Sequence, residues 1–339
     1  MTPPPDQTLS TTPPPAGQDR APAPPGGRQG SAARFLGLDL GGTNIKGVVV
    51  EVPPDGVPRS VATATAPTGA EQGPEGVVAG IIALGRQLSA EHPGALAAGL
   101  AVPGLFEPST GTVEFFTNLP GPWPGFPLGA RVAAGLGLPA LVLNDGRAFT
   151  LAEGRMGAGQ GHPTLLGLVL GTGVGGGVLL GGRLHLGRWG NAGEIGHLVV
   201  VDDEDAALCG CGARGCVEAY ARADVLCAAA RRSSAEQVYA GARAGDPACV
   251  AAVQAVCGHL AAALVSVVML LGTDRVVVGG GIAAAGDTLL GPLRASLDRR
   301  LHLVPGREVE VVPAVLGSYA GAMGAALAVA DAGADSRTG

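Results

Sequence analysis

The sequence predicts an α/β protein of two lobes with a ligand cleft between them. Strands and helices alternate along the chain, and glycine-rich turns follow several apolar strands. One strand–turn–strand segment also occurs twice: residues 35–50, FLGLDLGGTNIKGVVV, align without a gap with residues 165–180, LLGLVLGTGVGGGVLL. The repeat indicates two related lobes, although glycine-rich hairpins can also look alike by chance. Asp39 of the first copy corresponds to Val169 of the second, so only one lobe would carry this acid.

The predicted first lobe spans residues 34–143. The apolar strands FLGLDL and IKGVVVEV flank the turn GGTN, and PEGVVAGIIALGRQLSAEH has the spacing of a helix. The segment ALAAGLAVPG predicts a strand that runs into a loop, and PALVLND predicts a buried strand with a polar end. These elements suit one mixed sheet with its helices.

The predicted second lobe spans residues 144–317. It begins with the helix RAFTLAEGRMGAG and the strand–turn–strand repeat, followed by a helical, alanine-rich stretch from Ala219 to Leu271. The strand DRVVVGGGI, the helix TLLGPLRASLDRRL and the strand REVEVVPAVL come next. A final helix over about 318–332 is expected to pack back on the first lobe.

Composition excludes several classes of protein. The chain has 339 residues, a formal charge of −6, only 3% aromatic residues and no long basic run, so binding to nucleic acid or to an anionic membrane is not expected. Residues 1–33 are rich in proline and lack an apolar core, which predicts a disordered tail and not a signal peptide. The apolar run from Leu260 to Leu271 is too short to cross a bilayer and predicts a buried helix. A cytoplasmic protein is expected.

Two glycine turns could hold phosphate through their backbone N–H groups. They contain Gly41, Gly42 and Thr43 in the first repeat, and Gly171, Thr172 and Gly173 in the second. Neither fits the Walker or dinucleotide motif, and each could be an ordinary hairpin. Asp39 precedes the first turn and could hold Mg²⁺ against phosphate oxygens, or simply cap the turn. A third turn, Gly279, Gly280 and Gly281, could flank an adenine or ribose, with a plain tight turn nearly as favoured.

The segment VLNDG places Asn144 and Asp145 at the mouth of a buried strand. Reactive groups of α/β proteins collect at such strand ends, and a carboxylate there can accept a proton from a substrate hydroxyl. Phosphoryl transfer needs little more than this base, positioning and charge stabilisation. The alternative is that Asn-Asp-Gly only forms the turn into the next helix.

Three of the six cysteines lie within eight positions, as Cys209, Cys211 and Cys216. With His197 of GEIGH as a fourth ligand, they predict a closed, structural Zn²⁺ site that joins two loops. Each loop also carries an acid, Glu194 or Glu218, which the metal would hold in place. A redox cluster is less favoured because C-x-x-C is absent, and unrelated buried thiols are the remaining alternative. The other cysteines lie in helical sequence and are expected in the core: Cys227, Cys249 and Cys257.

Taken in order, the motifs LDLGGTNIKG, VPGLF, LNDG, LGTGVGGG, GEIGH, CGCGARGCVE and VVVGGGI resemble the ROK family of sugar kinases over about residues 35–330. The resemblance implies the actin/hexokinase-like (ribonuclease H-like) two-lobe fold, with ATP, Mg²⁺ and structural Zn²⁺. It implies Asp145 as the base toward the sugar 6-hydroxyl and Asp39 with the glycine turns for Mg²⁺, phosphate and adenosine. The sugar ligands that it implies are Asn118, Asn144, Glu194, His197 and Glu218. Among family members, the chain is most similar to bacterial glucokinases, and the family's habit is a homodimer.

The chain departs from the usual motifs at Glu107, where an Asp is common, and at Gly146 and Arg147, where small residues and an Asn are common. These differences bear on the sugar, not on the reaction. Other acceptors are therefore alternatives: fructose, N-acetylglucosamine or N-acetylmannosamine. A polyphosphate donor and a sugar sensor without catalysis are further alternatives. A repressor is not expected, because the proline-rich segment before the first strand cannot form a helix-turn-helix.

Overall fold

The computed structural model of the chain describes residues 32–54, 56–116, 119–303 and 309–335. The tail predicted at residues 1–33 lies almost entirely outside this range. The first half of the described chain contributes β1 (Ala33–Leu40), β2 (Asn44–Val52), β3 (Arg59–Pro67), α1 (Gly73–Glu91), β4 (Ala95–Val102), β5 (Leu105–Glu107), β6 (Thr112–Phe115), α2 (Leu128–Leu136), β7 (Ala140–Asn144) and α3 (Asp145–Met156).

The second half contributes five further strands and most of the α-helices. In chain order they are β8 (Leu165–Leu170), β9 (Val174–Leu180), β10 (Arg183–Leu184), α4 (Glu218–Ala221), α5 (Ala223–Ala230), α6 (Ala235–Arg243), α7 (Pro247–Leu271), β11 (Arg275–Gly279), α8 (Asp287–Asp298), β12 (Glu310–Pro313) and α9 (Ala320–Asp335). The strands and helices expected from the sequence are confirmed, with ends displaced by a few residues.

Two five-stranded sheets share one topology. Their strand orders are β3-β2-β1-β4-β7 and β10-β9-β8-β11-β12, so each sheet consists of three antiparallel strands extended by two parallel strands. The repeated sequence segment forms the first hairpin of each sheet. The hairpins differ in register by one residue, because Gly37 lies opposite Val48 whereas Gly167 lies opposite Gly177. The common topology is what two related lobes require, while the division at residues 143 and 144 stays a prediction.

Helices α3 and α9 lie between the two sheets. A Cβ at Gly37 or Gly99 would collide with the carbonyl oxygens of Ala322 and Ala325, so these strand glycines let the backbone of α9 lie directly on β1 and β4. Gly324 allows the same close approach to the carbonyl of Ala148 on α3. Because α3 also packs against β8 and β9, the layers connect the ends of β1, β7 and β8 through rigid contacts.

Helix α7 lies within the stretch predicted to be helical and extends well beyond its apolar run. The apolar run 260–271 is the end of a 25-residue helix, capped by Asp246, whose carboxylate accepts hydrogen bonds from the N–H groups of Ala248 and Cys249. It is the one helix in the described residues that is long and apolar enough to cross a membrane, and half of that stretch is buried in the protein. Its buried face belongs to the core that covers the second sheet, as expected for a core helix.

The sequence did not predict β3, the β5–β6 hairpin, α2 or β10. Strand β3, RSVATATAP, consists mainly of small and polar residues at an edge of the first sheet, so its apolar signal is weak. Strands β5, β6 and β10 have only two to four residues each, which is too short for a periodic pattern.

Candidate active site

The predicted phosphate and acid groups meet where several strands end. Asp39 lies near the end of β1, and Asp145 begins α3 directly after β7. The glycine turns follow β1, β8 and β11 at the corresponding ends. Parallel strands that end together leave a crevice at this edge of a sheet, which is the usual ligand site of an α/β fold.

Asp145 is held at the first turn of α3. One carboxylate oxygen, Oδ1, accepts a hydrogen bond of 2.8 Å from the N–H of Gly146. The side chain faces the cleft with solvent-accessible surface, yet protein surrounds it closely enough that burial raises its pKa to about 6. The nearby charge of Glu194 raises the pKa further, whereas the Gly146 N–H and the charge of Arg147 lower it. A carboxylate with this pKa is suited to accept a proton near neutral pH.

Asp39 is the second acid of the cleft. Burial raises its pKa to about 7, repulsion from Asp145 adds to the rise, and the charge of Lys46 lowers it. Lys46 lies directly opposite Asp39 in the β1–β2 pair. A Cβ at Gly321, at the start of α9, would lie 2.7 Å from Asp39 Oδ2, so only glycine leaves the carboxylate this space. The contribution of Asp145 to this rise means that the charge of Asp145 acts on the Asp39 carboxylate.

Asn144 caps helix α3. Its Oδ1 accepts hydrogen bonds from the N–H groups of Gly146, at 3.0 Å, and Arg147, at 3.4 Å. Its Nδ2 lies 3.5 Å from the carbonyl oxygen of Gly104. The amide therefore fixes the start of the helix that carries Asp145. The expected contact of Asn144 with a sugar hydroxyl stays a prediction.

Glu194 is paired with a buried arginine. Nη2 of Arg147 donates to Glu194 Oε1 at 3.0 Å, and Nε donates to the carbonyl oxygen of Ala192 at 3.1 Å. The Arg147 side chain is only 3% exposed, whereas that of Glu194 is 30% exposed. Glu194 Oε2 lies 4.0 Å from Nε2 of His197, so this carboxylate lies between the arginine and the imidazole.

Glu218 connects the cysteine loop with the second glycine turn. Its Oε2 accepts a hydrogen bond of 2.9 Å from the N–H of Val174, and Cys209 Sγ lies 3.7 Å from its Oε1. A Cβ at Gly173 would lie 2.6 Å from Oε2, so the turn leaves room for this carboxylate. The geometry holds Glu218 against the turn that follows β8.

The structure brings the four predicted metal ligands together. One ligand atom each from His197, Cys209, Cys211 and Cys216 lies within 4.8 Å of all the others. Nδ1 of the histidine faces Cys209 Sγ at 3.6 Å, and the sulfur atoms of the other two cysteines are 3.8 Å apart. Three thiols and one imidazole at these separations are a donor set for tetrahedral Zn²⁺. With Nδ1 turned to the cluster, Nε2 is left facing Glu194.

The three glycine turns differ in their settings. Gly41 N–H donates to Asn44, and its carbonyl accepts from the Thr68 hydroxyl at 2.6 Å, which pins the first turn and leaves Gly42 and Thr43 exposed. In the second turn, Gly171 N–H donates to Gly173, while Thr172 is exposed. In the third, Gly279 is buried, Gly280 has φ +88° beside the carbonyl of Leu170, and Gly281 is exposed. The second and third turns are thus neighbours.

Asn118, predicted as a sugar ligand, lies outside the described residues. Sequence reasoning noted Arg147 beside the proposed base but did not foresee its pairing with Glu194. It also did not single out Lys46 and Gly321, which contact or face Asp39. For Lys46 a signal existed, because a hairpin closed by the short turn after Leu40 places it near Asp39. Gly321 is one of several small residues in α9 and offered no such signal.

The model of the ROK family matches residues 35–332. The glucokinase of Streptomyces coelicolor is 33% identical over 314 residues, which are 86% of this chain and 96% of that protein. Among solved structures, a ROK hexokinase from Thermus thermophilus has a TM-score of 0.74 at 33% identity, covering 88% of this chain and 99% of that one. A ROK family glucokinase from Streptomyces griseus, in complex with glucose and AMPPNP, has a TM-score of 0.72 at 33% identity, covering 87% and 99%. The range matched by the family model includes the residues of the cleft described above.

Proposed function

Because the chain belongs to the ROK family and is a sugar kinase of the actin/hexokinase-like fold, we propose that it is an ATP-dependent glucokinase. Glucose and ATP would react to give glucose 6-phosphate and ADP. The glucokinases it matches, one of them bound to glucose and an ATP analogue, support this choice of acceptor and donor. The observation that carries the proposal is Asp145, a carboxylate at the first residue of α3, held by the Gly146 N–H, whose pKa is raised by burial and by the charge of Glu194.

Asp145 is the proposed general base. Its carboxylate takes the proton of the sugar 6-hydroxyl as that oxygen attacks the γ-phosphorus, and the bond to the β–γ bridging oxygen breaks to release ADP. The Asn144 cap and the Gly146 N–H hold the base at a fixed place. A pKa of about 6 leaves the carboxylate ionised at neutral pH and close enough in basicity to accept the proton as it is released.

The phosphate end of the cleft lies on the side of Asp39. We assign Asp39 to the Mg²⁺ that accompanies ATP, because a divalent cation would offset the cost of burying the Asp39 carboxylate and the repulsion that it feels from Asp145. Backbone N–H groups of the turns at Gly41–Thr43 and Gly171–Gly173 would receive the phosphates. The turn Gly279–Gly281, next to the end of β8, would flank the adenosine.

The sugar end is assigned to polar side chains that are held by the cysteine loop and its neighbours. Glu194 and Glu218 offer acceptors for sugar hydroxyls, and Nε2 of His197 offers a donor on the side of Glu194. Asn118 and Asn144 remain proposed members of this set.

The Cys/His cluster fits Zn²⁺ by its donor types and its compactness. Zinc would be held by His197, Cys209, Cys211 and Cys216, and with four protein ligands its role is structural. Bound there, it would supply rigidity by fixing the ring of His197 relative to Cys209, which lies beside Glu218, so that the sugar would meet a preformed site. A cytoplasmic location and a homodimer remain part of the proposal, and so does the absence of nucleic-acid or membrane partners.

The test is an ADP-release assay with MgATP and a panel of sugars: glucose, mannose, fructose, N-acetylglucosamine and N-acetylmannosamine. Strong turnover with glucose, lost by about 10³-fold or more in Asp145→Asn while glucose binding persists, is the expected result. Asp202→Asn, an exposed acid outside the cleft, is the matched control and should retain full activity. Turnover with another sugar would replace glucose, and activity only with polyphosphate would replace ATP. Near-full turnover of Asp145→Asn would refute the base.

A further inference from the structure

Arg147 is a buried cation that the proposed reaction does not use. It lies two residues after Asp145 in the first turn of α3, and its side chain is 3% exposed. A guanidinium withdrawn from water is stable only with well-placed acceptors. The described structure provides two of them, Glu194 Oε1 and the carbonyl oxygen of Ala192, at 3.0 and 3.1 Å.

These two contacts fix both the acid and the loop that bears it. Nη2 engages the carboxylate of Glu194, and Nε engages the backbone two residues before it. The second carboxylate oxygen, Oε2, lies 4.0 Å from Nε2 of His197, and the Glu194 side chain as a whole is 30% exposed. One oxygen is thus occupied by the guanidinium, whereas no described residue donates a hydrogen bond to the other, which has the His197 ring beside it. An ionised carboxylate accepts hydrogen bonds and cannot donate them, so a ligand at this point must bring a donor.

We propose that Arg147 is a positioning residue that aims Glu194 Oε2 at one sugar hydroxyl and thereby makes that hydroxyl a requirement for binding. The inference rests on the proposed function, because it assumes a sugar beside Glu194. Specificity of this kind is strong, since an analogue without the hydroxyl leaves the fixed carboxylate oxygen without its partner. If Glu194 were free to rotate, it could turn to solvent, and the loss of the hydroxyl would cost less.

A neighbouring cavity makes the role of the guanidinium testable by chemical rescue. Arg147 lines a cavity of about 100 Å³ whose walls include Leu143, Leu186 and Trp189. Trp189 is 74% exposed, so this wall lies at the protein surface. Truncation in Arg147→Ala would join the vacated space to this cavity, and a free guanidinium ion could then enter and pair with Glu194.

The decisive experiment measures binding of glucose and its 1-, 2-, 3- and 4-deoxy analogues by calorimetry, with steady-state kinetics in parallel. In the wild type, we expect one analogue to lose about 10- to 100-fold in affinity through Glu194, and Glu194→Ala identifies which one because the loss disappears there. In Arg147→Met, the penalty for that same analogue should shrink to about threefold or less, while the penalties at other positions stay unchanged. KM for MgATP should remain within about twofold of the wild type.

Three further variants separate positioning from a general effect on folding. Arg155→Met removes another arginine of α3, whose ion pair with Asp331 is only half-buried, and should keep every penalty of the wild type. Arg147→Ala should bind glucose more weakly than the wild type, and its affinity should rise by about tenfold in millimolar guanidinium chloride. Arg147→Lys should keep part of the wild-type affinity without an additive. If Arg147→Met does not fold, these two variants supply the same comparison.

Several outcomes would overturn the inference. Unchanged penalties in the Arg147 variants would do so, as would equal losses for all analogues, which indicate a distorted site. Failure of guanidinium to restore any affinity would count against it as well. If the wild type binds glucose but does not phosphorylate it, the proposed function fails while the binding data still decide the role of Arg147. If it binds none of the sugars, both fail.

Discussion

Replacing Asp39 by Asn should stabilise the folded protein at alkaline pH while it weakens catalysis. Burial and the charge of Asp145 raise the pKa of Asp39 from 3.8 to about 7, so the ionised carboxylate is less stable in the folded chain than in the unfolded one. One pKa unit corresponds to about 1.4 kcal/mol, and a rise of about three units sets an upper value of about 4 kcal/mol above pH 8. Because part of Asp39 remains accessible to water, we expect a gain of about 2 to 4 kcal/mol.

The sign of this effect fixes its dependence on pH. A raised folded-state pKa means that the protonated acid favours folding at low pH, and that this advantage is lost as the pH rises from about 4 to about 7. The neutral amide does not titrate, so the stability difference between Asp39→Asn and the wild type should be small near pH 4. It should reach roughly 1 to 2 kcal/mol at pH 5 and its full value above pH 8. Other titrating groups largely cancel in this difference.

Urea denaturation of both proteins at pH 5 and pH 8, at equal zinc concentration, measures the difference. Thermal unfolding should show the same trend, with roughly 2 °C for each kcal/mol in a chain of this size. Asp202→Asn is the control, since an exposed acid should give a difference within about 0.5 kcal/mol at either pH. A gain of equal size at both pH values, or a loss of stability at pH 8, would refute the electrostatic reasoning.

Further predictions concern the same cleft. The kcat/KM for glucose should fall as the pH is lowered through about 7 to 6, because Asp39 and then Asp145 become protonated, and Asp39→Asn should move this limb to lower pH because only the titration of Asp145 remains. Gly321→Ala should reduce kcat by about tenfold or more with little loss of stability, because its Cβ displaces the Asp39 carboxylate; a pH-rate profile and thermal unfolding measure the two effects. Cys211→Ala should lower zinc content and raise KM for glucose more than KM for MgATP, as measured by metal analysis and kinetics, and an unchanged KM in zinc-free protein would contradict the proposed role of the metal.

Local chemistry made much of the cleft predictable from the sequence. The three cysteines lie close together in the chain, and a histidine stands twelve residues before the first of them, so few arrangements other than a shared metal suit them. The acids at the ends of β1 and β7 were predictable for a related reason, because buried strands in an α/β fold end at the ligand crevice. In each case the residues that indicate the site are close in sequence to the strand or loop that positions them.

The features that escaped prediction depend on contacts across the fold. Arg147 and Glu194 are 47 residues apart, and only the packing of α3 against β9 brings them together. From the sequence, the amide of Asn144 could equally have contacted a ligand. It accepts a hydrogen bond from Gly146 N–H because α3 begins directly after it. Strand β3 carries no clear apolar pattern because it lies at a sheet edge. It pairs with β2 on one side only, so its side chains need not be apolar to be accommodated.

The duplicated hairpin provides an internal comparison for the charges of the cleft. Asp39 on β1 faces Lys46 on β2, whereas the aligned positions of the second hairpin are Val169 and Gly176. The second hairpin keeps the fold and the glycine turn without any buried charge, so neither topology nor turn geometry requires the acid. Even with Lys46 opposite, Asp39 retains a raised pKa, which means that the cation offsets only part of the cost of burial. A charge that the fold does not need and that lowers its stability is best explained by the chemistry it performs.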